Sequence, residues 1–347
     1  MRAWQYTNGV TAKTLVGKLE DSIALDAAAP APDKSLLAED QLLIRVLSAS
    51  LNPADYKMPE SDWFGRLFGL GDEAQPGLDF CGRVVGKHAL NTAYSEGQRV
   101  FGSLGKASRY GTLGDMMVAS TSELAAVPDG ISTDQAAALG ASAGIAYKSL
   151  VSAGIKPGSH VFINGGSGGV GTYSIQFAKL MGAQVTTSTS TPNVDLVRKL
   201  GADAVIDYRT TDVLEELRRR GLVFDAVVDN VGTPKDLYHQ CHGFLKSDGT
   251  YVQVAADPTA RATCGILATL SKSFIMPGRR AFCFATDKGG SSDYALIARW
   301  VFEGKVEPVI GRLFGFDDVM RAYAELRKGR SRGKIVVHVL EEANERD

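Results

Sequence analysis

The sequence predicts an α/β protein in two parts: a β-rich part of short strands and turns, and a doubly wound parallel sheet. Three observations predict it. Between about Val127 and Thr286, six apolar strand-like runs alternate with helical patterns, which is how a parallel sheet covered on both faces is written. Before Val127 the chain is short strands punctuated by glycine and proline, without that alternation. After the sixth strand the sheet is full, so the tail is expected to return to the β-rich part. That part is then discontinuous, 1–126 with 288–347, around a continuous 127–287.

Length and composition agree. A chain of 347 residues suits about two domains of ordinary size. Hydrophobic residues make up 44% and charged residues 22%, the balance of a soluble globular protein. The net charge of -1 provides no bulk field for nucleic acid or anionic lipid, and Arg218, Arg219 and Arg220 read as a solvated helix end. The N-terminal MRAWQYTNGV has no apolar core of a signal peptide, and no run of about 18 apolar residues is present to span a bilayer. Cys81, Cys241, Cys264 and Cys283 are scattered, so free thiols in a reducing cytoplasm are expected, with no disulfide framework.

In chain order, residues 1–20 predict a strand and a turn, and 26–34 an exposed Ala/Pro-rich connection. A strand follows over 41–52, then a turn over 52–57 (NPADYK) opened by Asn-Pro. The glycine-punctuated loop 61–77 carries Trp63, Phe64 and Phe68, a candidate substrate wall as a set. Short strands are expected over 78–88 and 99–104, and a further strand within 111–130. The Ala-rich stretch 131–154 reads as a helix with Ser132 or Thr133 as N-cap. Strands over 184–190, 202–208, 224–232, 249–255 and 279–286 follow the apolar run at 161–163, with helices over 194–201, 212–221 and 234–245 between them. The tail predicts helices over 294–304 and 316–329 and a terminal strand over 334–340.

The most informative stretch is His160 to Gly182. An apolar run (Val161, Phe162, Ile163) enters a glycine cluster, and a mostly apolar helix leaves it. Gly166, Gly168 and Gly171 stand at G-x-G-x-x-G spacing. Strand, glycine turn and helix together bring backbone N–H groups and a helix N-terminus against a pyrophosphate. The expected contacts are Gly166, Ser167, Gly168, Gly169 and Val170. NAD binders place an Asp or Glu near the end of the second strand. Here no acid occurs between Gly166 and Val194, and that strand ends in Ser188, Thr189, Ser190 and Thr191, followed by Asn193. Hydroxyls and amides donate to a 2′-phosphate that an acid would repel, so NADPH is favoured over NADH. Tyr208, at the end of the third strand, adds a hydroxyl or an aromatic face.

The chain resembles the medium-chain dehydrogenase/reductase superfamily, and within it the zinc-independent quinone oxidoreductase and enoyl reductase branch. The resemblance covers nearly its whole length. It is carried by NPADYK (52–57), PGLDFCGRVV (76–85), VPDGIS (127–132), SGGVG (167–171), KLGADAVIDY (199–208), FDAVVDNVG (224–232) and RGKIVV (332–337), in that order. It implies a GroES-like catalytic domain and a Rossmann domain. Zinc members carry a Cys near the NPAD position and a G-H-E motif; here Asn52 stands first, and Leu78 and Asp79 follow Pro76-Gly77. Only Cys81 and His88 fall close together, whereas a tetrahedral zinc site needs three or four ligands, so no metal is expected.

The implied activity is hydride transfer from NADPH to an electron-poor C=C (enone or enoyl thioester) or a quinone. The resemblance turns Asn52 and Lys57 toward cofactor or substrate, Asn52 as an amide donor and Lys57 as a cation; Tyr56 is a candidate proton donor. It places Asn230 and Val231, at the end of the fourth strand, by the nicotinamide, and lets Lys334 close over the cofactor. One departure stands out. Where quinone oxidoreductases carry a Thr before the glycine turn, this chain has Ile145, with Ser142 one turn away. The competing reading is a cofactor-binding sensor without turnover; a zinc alcohol dehydrogenase is more remote. A homodimer is expected through the apolar edge 279–286, which carries Phe282, Cys283 and Phe284.

Overall fold

The computed structural model describes residues 1–7, 9–61, 74–254, 281–285 and 288–340. The loop bearing Trp63, Phe64 and Phe68, Cys264 and the Phe284 side chain lie outside the described residues. The chain packs as two compact units, 1–144 with 289–347, and 145–288. The boundary anticipated at 126/127 therefore falls at 144/145, inside a helix.

In the first unit the strands are β1 (Ala3–Tyr6), β2 (Ile23–Asp26), β3 (Gln41–Leu51), β4 (Asp79–Lys87), β5 (Arg99–Ser103), β6 (Met116–Ser120) and β7 (Leu124–Ala126). The second unit supplies β8 (His160–Asn164), β9 (Gln184–Thr189), β10 (Ala204–Asp207), β11 (Phe224–Asp229), β12 (Leu245–Gln253) and β13 (Ala281–Phe284). The tail adds β14 (Ile310–Gly315) and β15 (Lys334–His338) to the first unit. Its seven-stranded sheet runs β14-β15-β3-β4-β5-β7, with β6 also on β3. The terminal strand β15 thus lies against β3, antiparallel, with Val337 opposite Ala49. Alternate residues of β3 and β4, among them Leu42, Ile44, Val46, Phe80 and Val84, enter one core.

The second unit's sheet is parallel throughout, in the order β10-β9-β8-β11-β12-β13. In order of occurrence that is 3-2-1-4-5-6, the doubly wound arrangement, with its chain reversal between β8 and β11. β8 and β11 are apolar on both faces because helices cover both: Val161, Phe162, Ile163, Ala226, Val227 and Val228 are all inaccessible.

Helices α1 (Pro53–Lys57), α2 (Thr133–Ser152), α3 (Gly169–Leu180), α4 (Val194–Lys199), α5 (Val213–Arg220), α6 (Ser291–Phe302) and α7 (Val319–Arg327) complete the described elements. Ser132 caps α2 through a reciprocal bond pair with Gln135. Three expectations need correction. NPADYK is a short helix, since Pro53 at its first position lacks only an N–H that would be unpaired there. The stretch 234–245 is not an α-helix: turns of i→i+3 type around Tyr238 end in a 3-10 turn at Cys241–Gly243, and β12 begins at Leu245. Nor is α2 one straight helix. It breaks at Gly140 (φ 4°, ψ -135°), where a Cβ would overlap the Asp79 carboxylate.

Candidate functional site

In the first unit, the Asn-Pro turn delivers Asn52 to the N-cap of α1. The Asp55 carboxylate accepts the Asn52 backbone N–H at 2.7 Å. The Asn52 side chain makes no cap bond, because both ends of its amide are taken elsewhere. Nδ2 donates to Asp79 Oδ2 at 2.8 Å, and Oδ1 accepts from Lys334 Nζ at 2.7 Å. Lys334 Nζ also donates to Asp79 Oδ2 at 3.2 Å, Ser142 Oγ at 3.1 Å and Leu51 O at 3.2 Å. Asp79 takes two more donors, Ser50 Oγ at 3.2 Å and the Ala141 N–H at 2.9 Å, the latter freed by the break at Gly140. Asp79 is 0% and Lys334 2% exposed, so this is a buried ion pair with its remaining valences satisfied by neutral groups.

Lys334 therefore does not reach outward. The expectation that it closes over a cofactor is corrected: its ammonium is held inside the first unit by four acceptors. Tyr56 and Lys57 do not join it. Tyr56 is buried, with the Arg327 guanidinium 4.2 Å from its ring centre, and burial raises its hydroxyl's pKa. Arg327 is itself bonded to Glu20 and Glu60. Lys57 is exposed and has no hydrogen bond or ion pair among the described residues. Asp55 is buried, its Oδ1 has no partner among the described residues, and burial with the nearby Asp79 charge pushes its pKa up to about 7.

In the second unit the glycine turn joins β8 to α3. The three spaced glycines differ in what forbids a side chain. A Cβ on Gly166 would overlap Thr187 Oγ1, and one on Gly171 would overlap the Gly165 carbonyl. A Cβ on Gly168 would meet only the Gly165 carbonyl, at 3.8 Å. Gly166 and Gly171 are therefore explained by strand–helix packing, whereas nothing in the described chain requires Gly168 to be bare. Its open cradle, at an α3 N-terminus whose cap residue has no side chain to offer, fits a pyrophosphate. The segment after β11 fits as well: both amide atoms of Asn230 are buried without a partner among the described residues, and Val231 is 48% exposed.

The hydroxyl-rich end of β9 divides in two. Ser188 is corrected from ligand group to support: it is 1% exposed, donates to Asn164 Oδ1 at 2.6 Å and accepts the Gly165 N–H at 3.0 Å. Thr189, also 1% exposed, donates to Ser167 Oγ at 2.9 Å, and Asn193 Nδ2 reaches the same oxygen at 3.2 Å and Ser190 Oγ at 3.3 Å. Ser167, Ser190 and Asn193 remain partly accessible, and Tyr208 is 53% exposed. Two neighbours were missed. Asp207 ends β10 opposite Thr189, and a hydrogen bond from Thr191 holds its carboxyl below the usual range. Arg209 is exposed beside Tyr208. Both were legible only from the pairing of β10 with β9.

Two family patterns match the chain, an alcohol dehydrogenase GroES-like domain over residues 38–129 and a zinc-binding dehydrogenase over 200–337. Trans-enoyl reductase pgmF of Aspergillus terreus is 41% identical, over 98% of this chain and 96% of its own. The chain belongs to the medium-chain dehydrogenase/reductase superfamily, in its quinone oxidoreductase and enoyl reductase branch. The 2-methylene-furan-3-one reductase of Solanum lycopersicum is 31% identical, over 97% of this chain and 79% of its own. Among solved structures, the quinone oxidoreductase from Coxiella burnetii superposes with a TM-score of 0.79 at 28% identity, over 98% of this chain and 99% of that one. Members of the superfamily are oxidoreductases that bind nicotinamide cofactors, and the described residues hold no group of three or more His, Cys, Asp or Glu placed for a metal. No described helix is long and apolar enough to cross a membrane.

Proposed function

We propose that this protein is an NADPH-dependent, zinc-independent reductase of an activated C=C, such as an enone or enoyl thioester, or of a quinone. The observation that carries the reading is the Lys334 ammonium between Asn52 and Asp79. Asn52 and Asp79 occupy motif positions where zinc members of the family carry a Cys and the acid of G-H-E. An internal cation there supports chemistry that needs no Lewis acid, which is reduction of an electron-poor acceptor rather than oxidation of an alcohol. The names of the relatives, an enoyl reductase and a furanone reductase, favour the C=C acceptor over the quinone.

The turn over Gly166, Ser167, Gly168, Gly169 and Val170 would hold the pyrophosphate, and Asn230 with Val231 the nicotinamide side. When bound, the nicotinamide supplies the hydride. Asn52 presents an amide whose direction is set at both ends by Lys334 and Asp79, leaving its second Nδ2 hydrogen for an acceptor oxygen. Lys57 adds an exposed cation, without an ion pair among the described residues, for developing negative charge. Tyr56 is a weaker proton donor than its sequence position suggests, because burial raises its pKa. Ser190, Asn193, Tyr208 and Arg209 form the proposed 2′-phosphate side, and self-pairing along β13, the described sheet's edge, is the proposed dimer contact.

The test is an acceptor screen that follows NADPH absorbance with 2-enones, enoyl thioesters and ortho-quinones. Turnover is expected, slower with NADH. NADPH binding without turnover on any acceptor would favour the sensor reading, and stoichiometric zinc in the purified protein would overturn the branch's metal-free chemistry. Gly166→Ala and Gly168→Ala sharpen the cofactor assignment: the first should lower the unfolding midpoint, the second should leave it unchanged and weaken cofactor binding.

A further inference from the structure

Four adjacent strands of the parallel sheet each contribute one buried polar side chain toward their carboxyl ends. From β9 comes Ser188, from β8 Asn164, from β11 Asp229 and from β12 Tyr251, exposed by 1%, 3%, 2% and 1%. Their bonds form one directed series. The Gly165 N–H donates to Ser188 Oγ at 3.0 Å, Ser188 Oγ to Asn164 Oδ1 at 2.6 Å, and Asn164 Nδ2 to Asp229 Oδ1 at 2.8 Å. From the other side, Tyr251 Oη donates to Asp229 Oδ2 at 2.7 Å.

Direction matters here. An ionised carboxylate only accepts, so Asp229 fixes which end of the Asn164 amide faces it, and that choice fixes the Ser188 hydroxyl. The series ends at Gly165, whose φ of +78° starts the glycine turn. Asp229 Oδ1 also accepts the Val231 N–H at 3.1 Å and the Gly232 N–H at 2.9 Å, and Asn164 Nδ2 donates a second bond to Thr233 O at 2.8 Å. One carboxylate therefore sets both the glycine turn and the segment after β11.

We propose that Asp229, acting through Asn164 and Ser188, is the positioning residue that holds the glycine turn and the Asn230–Gly232 segment in register for the nicotinamide cofactor. This rests on the cofactor reading above, and binding is therefore measured directly, without an acceptor. Ser188→Ala cuts the series next to the turn and leaves every bond to Asp229 in place. Asp229→Ala removes its centre. Asp229→Asn keeps Oδ1 for the two backbone N–H groups and Asn164, while the Tyr251 hydroxyl rotates to accept.

Dissociation constants for NADPH and NADH are read by nucleotide fluorescence, with the unfolding midpoint of each variant alongside. Loss of one such bond corresponds to about fivefold weaker binding, and Ser188→Ala should weaken NADPH and NADH by the same factor. Asp229→Ala should weaken both further, and Asp229→Asn should restore most of the loss. A Ser188→Ala effect confined to NADPH would make Ser188 a direct 2′-phosphate contact and overturn the proposal. So would folded Ser188→Ala and Asp229→Asn proteins that bind both nucleotides like wild type when Asp229→Ala fails to fold, since Asp229 would then serve the fold alone. Wild-type protein that binds neither nucleotide would sink the cofactor reading itself, an outcome distinct from unaffected variants.

Discussion

Two buried carboxylates, Asp79 and Asp229, are satisfied in opposite ways. Asp79 has a cation at 3.2 Å, and its unit tolerates the pair because Asn52, Ser50 and the Ala141 amide fill the remaining valences. Asp229 has no cation among its bonded partners in the described residues; four neutral donors replace one. An ion pair makes a strong but unspecific attraction, so removing one member leaves a bare charge in a dry interior. Neutral donors attract less and constrain direction more, since each hydrogen has one direction in which to point. The first arrangement locks elements together. The second sets the orientation of amides that a ligand can use.

The contrast can be broken most sharply at Asp79. Asp79→Ala strands the Lys334 ammonium and should cost about 3–5 kcal/mol in urea unfolding, whereas Asp79→Leu combined with Lys334→Met should recover most of that loss. A double variant as unstable as the single one would show that the neutral partners, not the charges, dominate. Next is the acidic neighbour. Asp55, with its pKa pushed up to about 7, takes up a proton on folding between the ordinary aspartate range and neutrality. Its contribution is thus full below about pH 4 and is lost as pH rises toward 7, with a slope of up to about 1.4 kcal/mol per pH unit. Asp55→Asn keeps an acceptor for the Asn52 amide and should flatten that slope in a pH series of unfolding midpoints. On the neutral side, Tyr251→Phe removes one donor from Asp229 and should cost about 1–2 kcal/mol. The smallest effect is expected at the surface, where Lys179→Ala breaks the exposed pair with Asp203 and should change stability by less than about 1 kcal/mol.

Much of the fold was legible because it is written locally. The glycine turn, the six alternating strands and the return of the tail follow from periodicity and glycine spacing, and the strand order and the β15–β3 pairing agree. What stayed hidden depends on partners far apart in sequence. Nothing around Lys334 tells that it pairs with Asp79, 255 residues away. Ser188 and Thr189 look alike in a hydroxyl run, yet Ser188 supports the turn from below, a role visible only once β8 and β9 are paired. The break in α2 is equally non-local, since Gly140 is required by the Asp79 carboxylate rather than by its own neighbours. The 234–245 stretch misled because its apolar residues, Leu237, Tyr238, Cys241 and Phe244, have helical spacing, yet most of its backbone bonds are of i→i+3 type.

The source of the Lys334 cation has a consequence for synthesis. β15 is the last strand described, and its lysine neutralises a carboxylate of β4 that leaves the ribosome some 255 residues earlier. The Arg327 bonds to Glu20 and Glu60 likewise span 307 and 267 residues. The parallel-sheet unit, being continuous, has all its own partners well before then. The usual amino-to-carboxyl order of domain completion is therefore inverted. A chain ending at residue 288 would contain every described strand of the second unit, while the first would lack the charge that neutralises Asp79.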